Sequence, residues 1–144
     1  MVKRNNRKSY SFIGTIIIVA FLDQITKFLI TNKLLNIAFI TNTGSIFGLF
    51  QGYTNALVWL SIMIIGIFIY NHSKIEKSDI LVRLSSGMIV GGIIGNLIDR
   101  VMYGAVIDFI DLGIWPLFNI ADTSITLGVI MLIISLMMDG QAED

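Results

Sequence analysis

The sequence predicts an all-α integral membrane protein with four spanning helices, and two observations carry that expectation. Of its 144 residues 55% are hydrophobic, and 13 glycines stand beside them, whereas soluble proteins reach about 45–50% apolar with glycine included. The 10 basic and 10 acidic residues are also unevenly spread, with none in residues 9–22, 34–73, 84–98 or 123–138.

A spanning helix needs about 20 mostly apolar residues. The first candidate covers about residues 10–31, the second 55–70, the third 80–99 and the fourth 119–138. The second is the shortest and carries no charge; the others hold polar residues at one end only. One proline and no self-similar period argue against linkers or repeats. The expectation is a single membrane domain over residues 1–144, with connecting segments 32–54 and 100–118 on one side.

Lysine and arginine near helix ends set orientation. Lys3, Arg4, Arg7 and Lys8 precede the first span, and Lys74, Lys77 and Arg83 flank the link between the second and third. That side, with both termini, is expected in the cytoplasm. The basic start resembles a secretory signal, but no small-residue cleavage pattern follows and the run continues through Asp23 and Lys27, so a retained anchor is expected.

Long charge-free runs exclude disorder and nucleic-acid binding. With no cysteine and one histidine, His72, neither a disulfide framework nor thiolate chemistry is available, and a Ser/His/Asp triad or histidine-ligated metal is hard to build. No metal or cofactor is expected. His72 itself reads as a solvated loop residue, while Tyr53 and Trp115 suit the membrane interface.

The polar residues converge. The third span ends outside with Asn96, Asp99 and Arg100; the fourth begins there with Asn119 and Asp122; Asp23 and Lys27 sit in the outer part of the first. Asn42 joins from one outer segment, Asp108 and Asp111 from the other. Charges at such depth usually face an interior or a watery cavity. Structural readings compete: Asp23 and Lys27 have the i, i+4 spacing of an ion pair, and Asp99 beside Arg100 suits a salt bridge at a helix end. Gly87, Gly91 and Gly95 form a small-xxx-small stripe that permits close helix packing.

Two neighbouring carboxylates cannot both ionise cheaply, so a pair can activate water and protonate a leaving amine. Asp108, Asp111 and Asp122 are the candidates. Asp122, in the opening turn of the fourth span, is favoured in its ionised form by the helix start. The apolar neighbours of Asp108 (Val106, Ile107, Phe109 and Ile110) would raise the second pKa. The proton belongs to the coupled pair, however, and the sequence assigns it to neither. Competing readings are Lys27 as base for Ser45 or Ser124, a small four-helix ion-coupled transporter, and a non-enzymatic assembly factor. Lys27 is disfavoured as a base by Asp23, and transport by the gathering of charge at one face rather than at mid-membrane.

The segments "DQITK" (23–27), "NTGSIFG" (42–48), "GGIIGNLIDR" (91–100), "VIDFID" (106–111) and "FNIADTSI" (118–125) together resemble the bacterial lipoprotein signal peptidase family, signal peptidase II. The resemblance covers nearly the whole chain. It implies an aspartic endopeptidase of the bacterial inner membrane, active at the outer leaflet, that cuts prolipoproteins before a diacylglyceryl-modified cysteine. Prolipoproteins and membrane lipids would be its partners. It implies Asp108 and Asp122 as the catalytic dyad. Asn96, Arg100 and Asn119 would orient the dyad or substrate, Asp23, Lys27, Asn42 and Gly44 would shape the pocket, and Asp99 would be structural. It also implies a small β-structured platform in residues 34–54. Ser45 and Ile46 depart from the small residues common there, and the stretch joining the dyad is short.

Overall fold

The computed structural model describes residues 10–44 and 52–140. In chain order its elements are α1 (Ser11–Thr31), β1 (Ile40–Asn42), α2 (Thr54–Tyr70), α3 (His72–Ile75), α4 (Ile80–Tyr103), β2 (Val106–Asp108) and α5 (Ile120–Gly140). The described residues are mostly helical, with one two-stranded sheet among them. Three helices, α1, α4 and α5, are long and apolar enough to cross a membrane, while α2 is apolar but 17 residues long.

The chain folds with its polar groups inward. Asp23, Lys27, Ser85, Ser86, Asn96, Asp99, Asp108 and Asn119 are buried, while Ile17, Phe21, Trp59, Met63 and Leu136 are exposed. Lipid tails compete with apolar side chains for nothing, so helices associate there through close packing and polar contacts. Helix α4 is the centre, packed against α1, α2 and α5.

The glycine stripe makes that packing possible. A Cβ at Gly91 would stand 2.8 Å from Val19 Cβ, and one at Gly95 would meet Asp23 Oδ2 at 2.5 Å. These glycines therefore press α4 onto α1 and bring Asn96 and Asp99 beside Asp23. On the next face Gly92 lies against Ala121 of α5, whose carbonyl oxygen would be 2.5 Å from an added Cβ.

Two expectations need correction, and a third is met in part. The third helix does not end at Asp99 but runs to Tyr103 and stops at Gly104, whose left-handed φ of 72° terminates it. Arg100 is therefore helical, and the connection to β2 starts one turn later. The β-structure expected in residues 34–54 is present as β1, but its partner comes from outside that segment: β1 pairs antiparallel with β2, Thr41 opposite Ile107, and an isolated bridge joins Ile110 to Phe118. His72 is not a solvated loop residue; it opens α3, half-buried, with its ring 6.0 Å from that of Phe12.

Candidate active site

Helix α5 begins with an asparagine whose side chain does two jobs. Asn119 Oδ1 accepts the Asp122 backbone N–H at 2.8 Å, the N-cap arrangement that satisfies an orphan donor of the first turn. Its Nδ2 donates to Asp108 Oδ1 at 2.7 Å, to Asn96 Oδ1 at 3.0 Å and to the Ile107 carbonyl at 3.3 Å. Asn96 Nδ2 in turn donates to Asp122 Oδ1 at 2.7 Å. Two asparagines thus tie both aspartates into one buried network.

Asp108 ends β2 and is 1% exposed. Asn42, at the end of β1, donates to its Oδ2 at 3.1 Å, and Asn42 Oδ1 accepts the Gly44 N–H at 2.9 Å. Burial pushes the Asp108 carboxyl up to about 6; the Asn42 hydrogen bond opposes this shift and the charge of Asp122 adds to it.

Behind the network lies a charged layer. Lys27 Nζ is 2.7 Å from both Asp23 Oδ2 and Asp99 Oδ2 and donates to Asn96 Oδ1 at 3.2 Å. Asp23 Oδ1 accepts the Ala121 N–H at 2.9 Å, capping α5 from α1; Asp99 Oδ2 accepts the Ile107 N–H at 3.1 Å, fastening β2 to α4. The ion pair foreseen for Asp23 and Lys27 is present. Asp99, however, pairs with Lys27 rather than Arg100, because the helix carries the neighbouring side chains to different faces.

Arg100 instead donates from Nη2 to the Gly44 carbonyl at 2.9 Å, while its Nε is buried without a hydrogen-bond partner. Asp122, Asp108 and Asp99 are the charges that act on its guanidinium. Asp111 stays outside: exposed, it accepts the Gly113 N–H at 2.7 Å in a local turn. Ser124 is buried and Lys27 is held by two carboxylates, so the arrangement disfavours the lysine-base reading; Ser45 and Ile46 lie outside the described residues.

Sequence reasoning missed two residues. Gln24 Nε2 bridges Asp99 Oδ1 at 2.9 Å and the Gly95 carbonyl at 3.0 Å, and Thr54 Oγ1 donates to the carbonyls of Thr43 and Gly104. A polar residue inside an apolar span was a usable signal for Gln24; Thr54 carries none. Among the described residues, no group of three or more His, Cys, Asp or Glu is placed to hold a metal ion.

The sequence model of the family described as signal peptidase (SPase) II matches residues 15–138. The chain belongs to the signal peptidase II family. It is 40% identical to a lipoprotein signal peptidase of Syntrophomonas wolfei, over 92% of this chain and 97% of that protein. The lipoprotein signal peptidases of Halothermothrix orenii and Staphylococcus aureus (strain MRSA252) are 33% and 34% identical, covering 90% and 89% of this chain and 97% and 91% of theirs. A bacterial membrane enzyme determined by the in meso method at 2.3 Å resolution superposes with a TM-score of 0.85 at 30% identity, over 93% of this chain and 92% of that one. A second, at 1.9 Å, gives 0.73 at 30% identity, over 88% and 92%. This family member is accordingly a bacterial membrane protease.

Proposed function

We propose that this protein is a membrane-embedded aspartic endopeptidase that removes signal peptides from diacylglyceryl-modified prolipoproteins, cutting before the lipidated cysteine. The observation that carries the mechanism is the sharing of Asn119 and Asn96 between Asp108 and Asp122. Coupled carboxylates of this kind retain one proton between them. The ionised member takes a proton from water as it attacks the scissile carbonyl, and the protonated member donates to the departing nitrogen. Arg100 Nε, buried and unpartnered, is a suitable donor for a substrate carbonyl. Asn42, Gly44 and the β1–β2 pair form the substrate-facing wall, while Asp23, Lys27 and Asp99 hold that wall and α5 in register.

The helices are read as four spans forming one membrane domain, with α2 as the fourth. Residues 34–73 carry no Asp, Glu, Lys or Arg, and α2 has no buried residue, as a lipid-facing helix requires. Seven of the ten basic residues flank the ends opposite the aspartates, which supports cytoplasmic termini and a site at the outer leaflet. Acyl chains and signal-peptide helix then reach the site laterally, and apolar contact supplies much of the binding energy. Membership of a peptidase family supports this activity over ion-coupled transport.

The deciding experiment offers purified protein a diacylglyceryl-modified precursor and the same precursor without lipid. Cleavage of the modified form alone, lost separately in Asp108→Asn and Asp122→Asn while folding persists, is the expected result. Equal cutting of both precursors would remove the lipid requirement, and activity surviving both substitutions would remove the dyad.

A further inference from the structure

Thr54 is the first residue of α2, and its hydroxyl does not serve its own helix. A threonine at a helix start commonly caps the first turn. Here the N-cap, Tyr53, makes no side-chain cap hydrogen bond, and Thr54 Oγ1 donates instead to the Thr43 carbonyl at 3.0 Å and the Gly104 carbonyl at 3.1 Å. Both acceptors belong to other segments.

Those two carbonyls stand where the β-ladder stops. Asn42 opposite Val106 is its last pair; Thr43 follows Asn42, and Gly104 stands two residues before Val106. Two carbonyl oxygens cannot bond each other, so the hydroxyl between them supplies the donor that this end of the sheet lacks. Although α2 has no buried residue, its first turn is thereby tied to the exit of β1 and the approach to β2.

The Thr43 carbonyl is one end of a peptide unit whose other end is the Gly44 N–H. That N–H donates to Asn42 Oδ1 at 2.9 Å, and Asn42 Nδ2 donates to Asp108 Oδ2 at 3.1 Å. A peptide unit is planar and rigid, so a hydroxyl that grips its carbonyl also fixes the direction of its N–H, and with it the amide plane of Asn42. The next carbonyl, that of Gly44, is held by Arg100 Nη2.

Given the aspartic dyad proposed above, on which this inference rests, we propose that Thr54 is a positioning residue for Asp108, acting from α2 through the Thr43–Gly44 peptide unit and the Asn42 amide. Without the hydroxyl the peptide unit can rotate, Asn42 loosens its donation to Asp108 Oδ2, and the carboxyl keeps its proton to higher pH. The other charges that act on Asp108 or feel it are Asp122 of α5, Lys27 of α1 and Arg100 of α4. Thr54 bonds to none of them.

The test follows kcat against pH for cleavage of a diacylglyceryl-modified precursor by the full chain in detergent micelles. Thr54→Val, which replaces the hydroxyl by a methyl, should lower the kcat plateau about two- to tenfold, the worth of one hydrogen bond. It should also move the alkaline limb to higher pH, the direction expected of Asn42→Ala. Thr54→Ser, which keeps the donor, should restore both. With Asn42→Ala already in place, Thr54→Val should shift the limb no further. Thr54→Ala removes the hydroxyl without setting a methyl between two carbonyls, and should reproduce the limb shift even if the valine variant folds poorly. A limb unmoved by both substitutions, with only the melting temperature lowered, would make Thr54 a structural staple and overturn the inference. A shift undiminished by Asn42→Ala would route the effect through Arg100 and overturn it too, as would failure of serine to rescue. Wild type that cuts no lipidated precursor, or Asp108→Asn that stays active, would refute the dyad reading itself and the inference with it.

Discussion

Asn119 and Asn96 are hydrogen-bonded to each other, Nδ2 to Oδ1 at 3.0 Å, and each donates to a different aspartate: Asn119 to Asp108, Asn96 to Asp122, both at 2.7 Å. Neither amide is free to turn over. Asn96 Oδ1 also accepts from Lys27, and Asn119 Oδ1 accepts from the Asp122 N–H, so a flip would set donor against donor. The carboxylates are oriented by side chains whose own orientation is determined one layer deeper.

Replacing either aspartate by asparagine keeps shape and removes the proton chemistry. Asp108→Asn and Asp122→Asn should each lower kcat by at least about 100-fold, with melting temperatures in detergent close to wild type. Turnover of a lipidated precursor beside a thermal melt checks both parts.

Asp108 holds its proton up to about pH 6, where the ordinary value is 3.8. If the dyad needs that proton, cleavage falls as pH rises through about 6. Removing the Asn42 donor, which opposes the shift, raises the pKa further, so Asn42→Ala should move the alkaline limb of the pH–kcat profile to higher pH. The sign for stability agrees: the folded state binds this proton more tightly than the unfolded chain, so the group's contribution is present below about pH 4 and lost as pH rises through about 6.

Lys27 pairs with two buried carboxylates at once. Lys27→Met preserves the stem but leaves Asp23 and Asp99 unpaired in a low-dielectric interior, and removing one partner of a buried pair costs about 3–5 kcal/mol. A clear fall in melting temperature is expected. Unchanged stability would mean that the ammonium holds nothing together.

The contact at Gly92 admits no side chain, since an added Cβ would lie 2.5 Å from the Ala121 carbonyl oxygen, next to Asp122. Gly92→Ala should cost about 1–3 kcal/mol through overpacking and displace the start of α5, lowering stability and turnover together. Gly14→Ala on α1, with nothing within 4 Å of the new atom, should spare both. Melting curves and initial rates for the two variants separate contact from composition.

Much of the architecture was legible in the chain because hydropathy is local. The starts and ends of the four apolar runs fall within one or two residues of α1, α2, α4 and α5, except where α4 continues from Asp99 to Tyr103. That miss has a simple cause: charge at Asp99 and Arg100 looks like the end of an apolar run, but a helix ends where its backbone is interrupted, here at Gly104. The spacing of Gly87, Gly91 and Gly95 pointed correctly to close helix approach.

Partnership was not legible. Asp99 stands next to Arg100 in the chain yet pairs with Lys27, 72 positions away, and the strand opposite β1 comes from beyond α4. Asp111 matched Asp108 in residue type and expected depth, and only folding left one exposed and the other 1% exposed inside the asparagine network. Side-chain chemistry and rise per residue fix what a segment is and how far along a helix a group lies. Which groups meet depends on the rotation of each helix about its axis and on its closest neighbours, and those are set jointly by α1, α4 and α5 once their glycine and alanine contacts have closed.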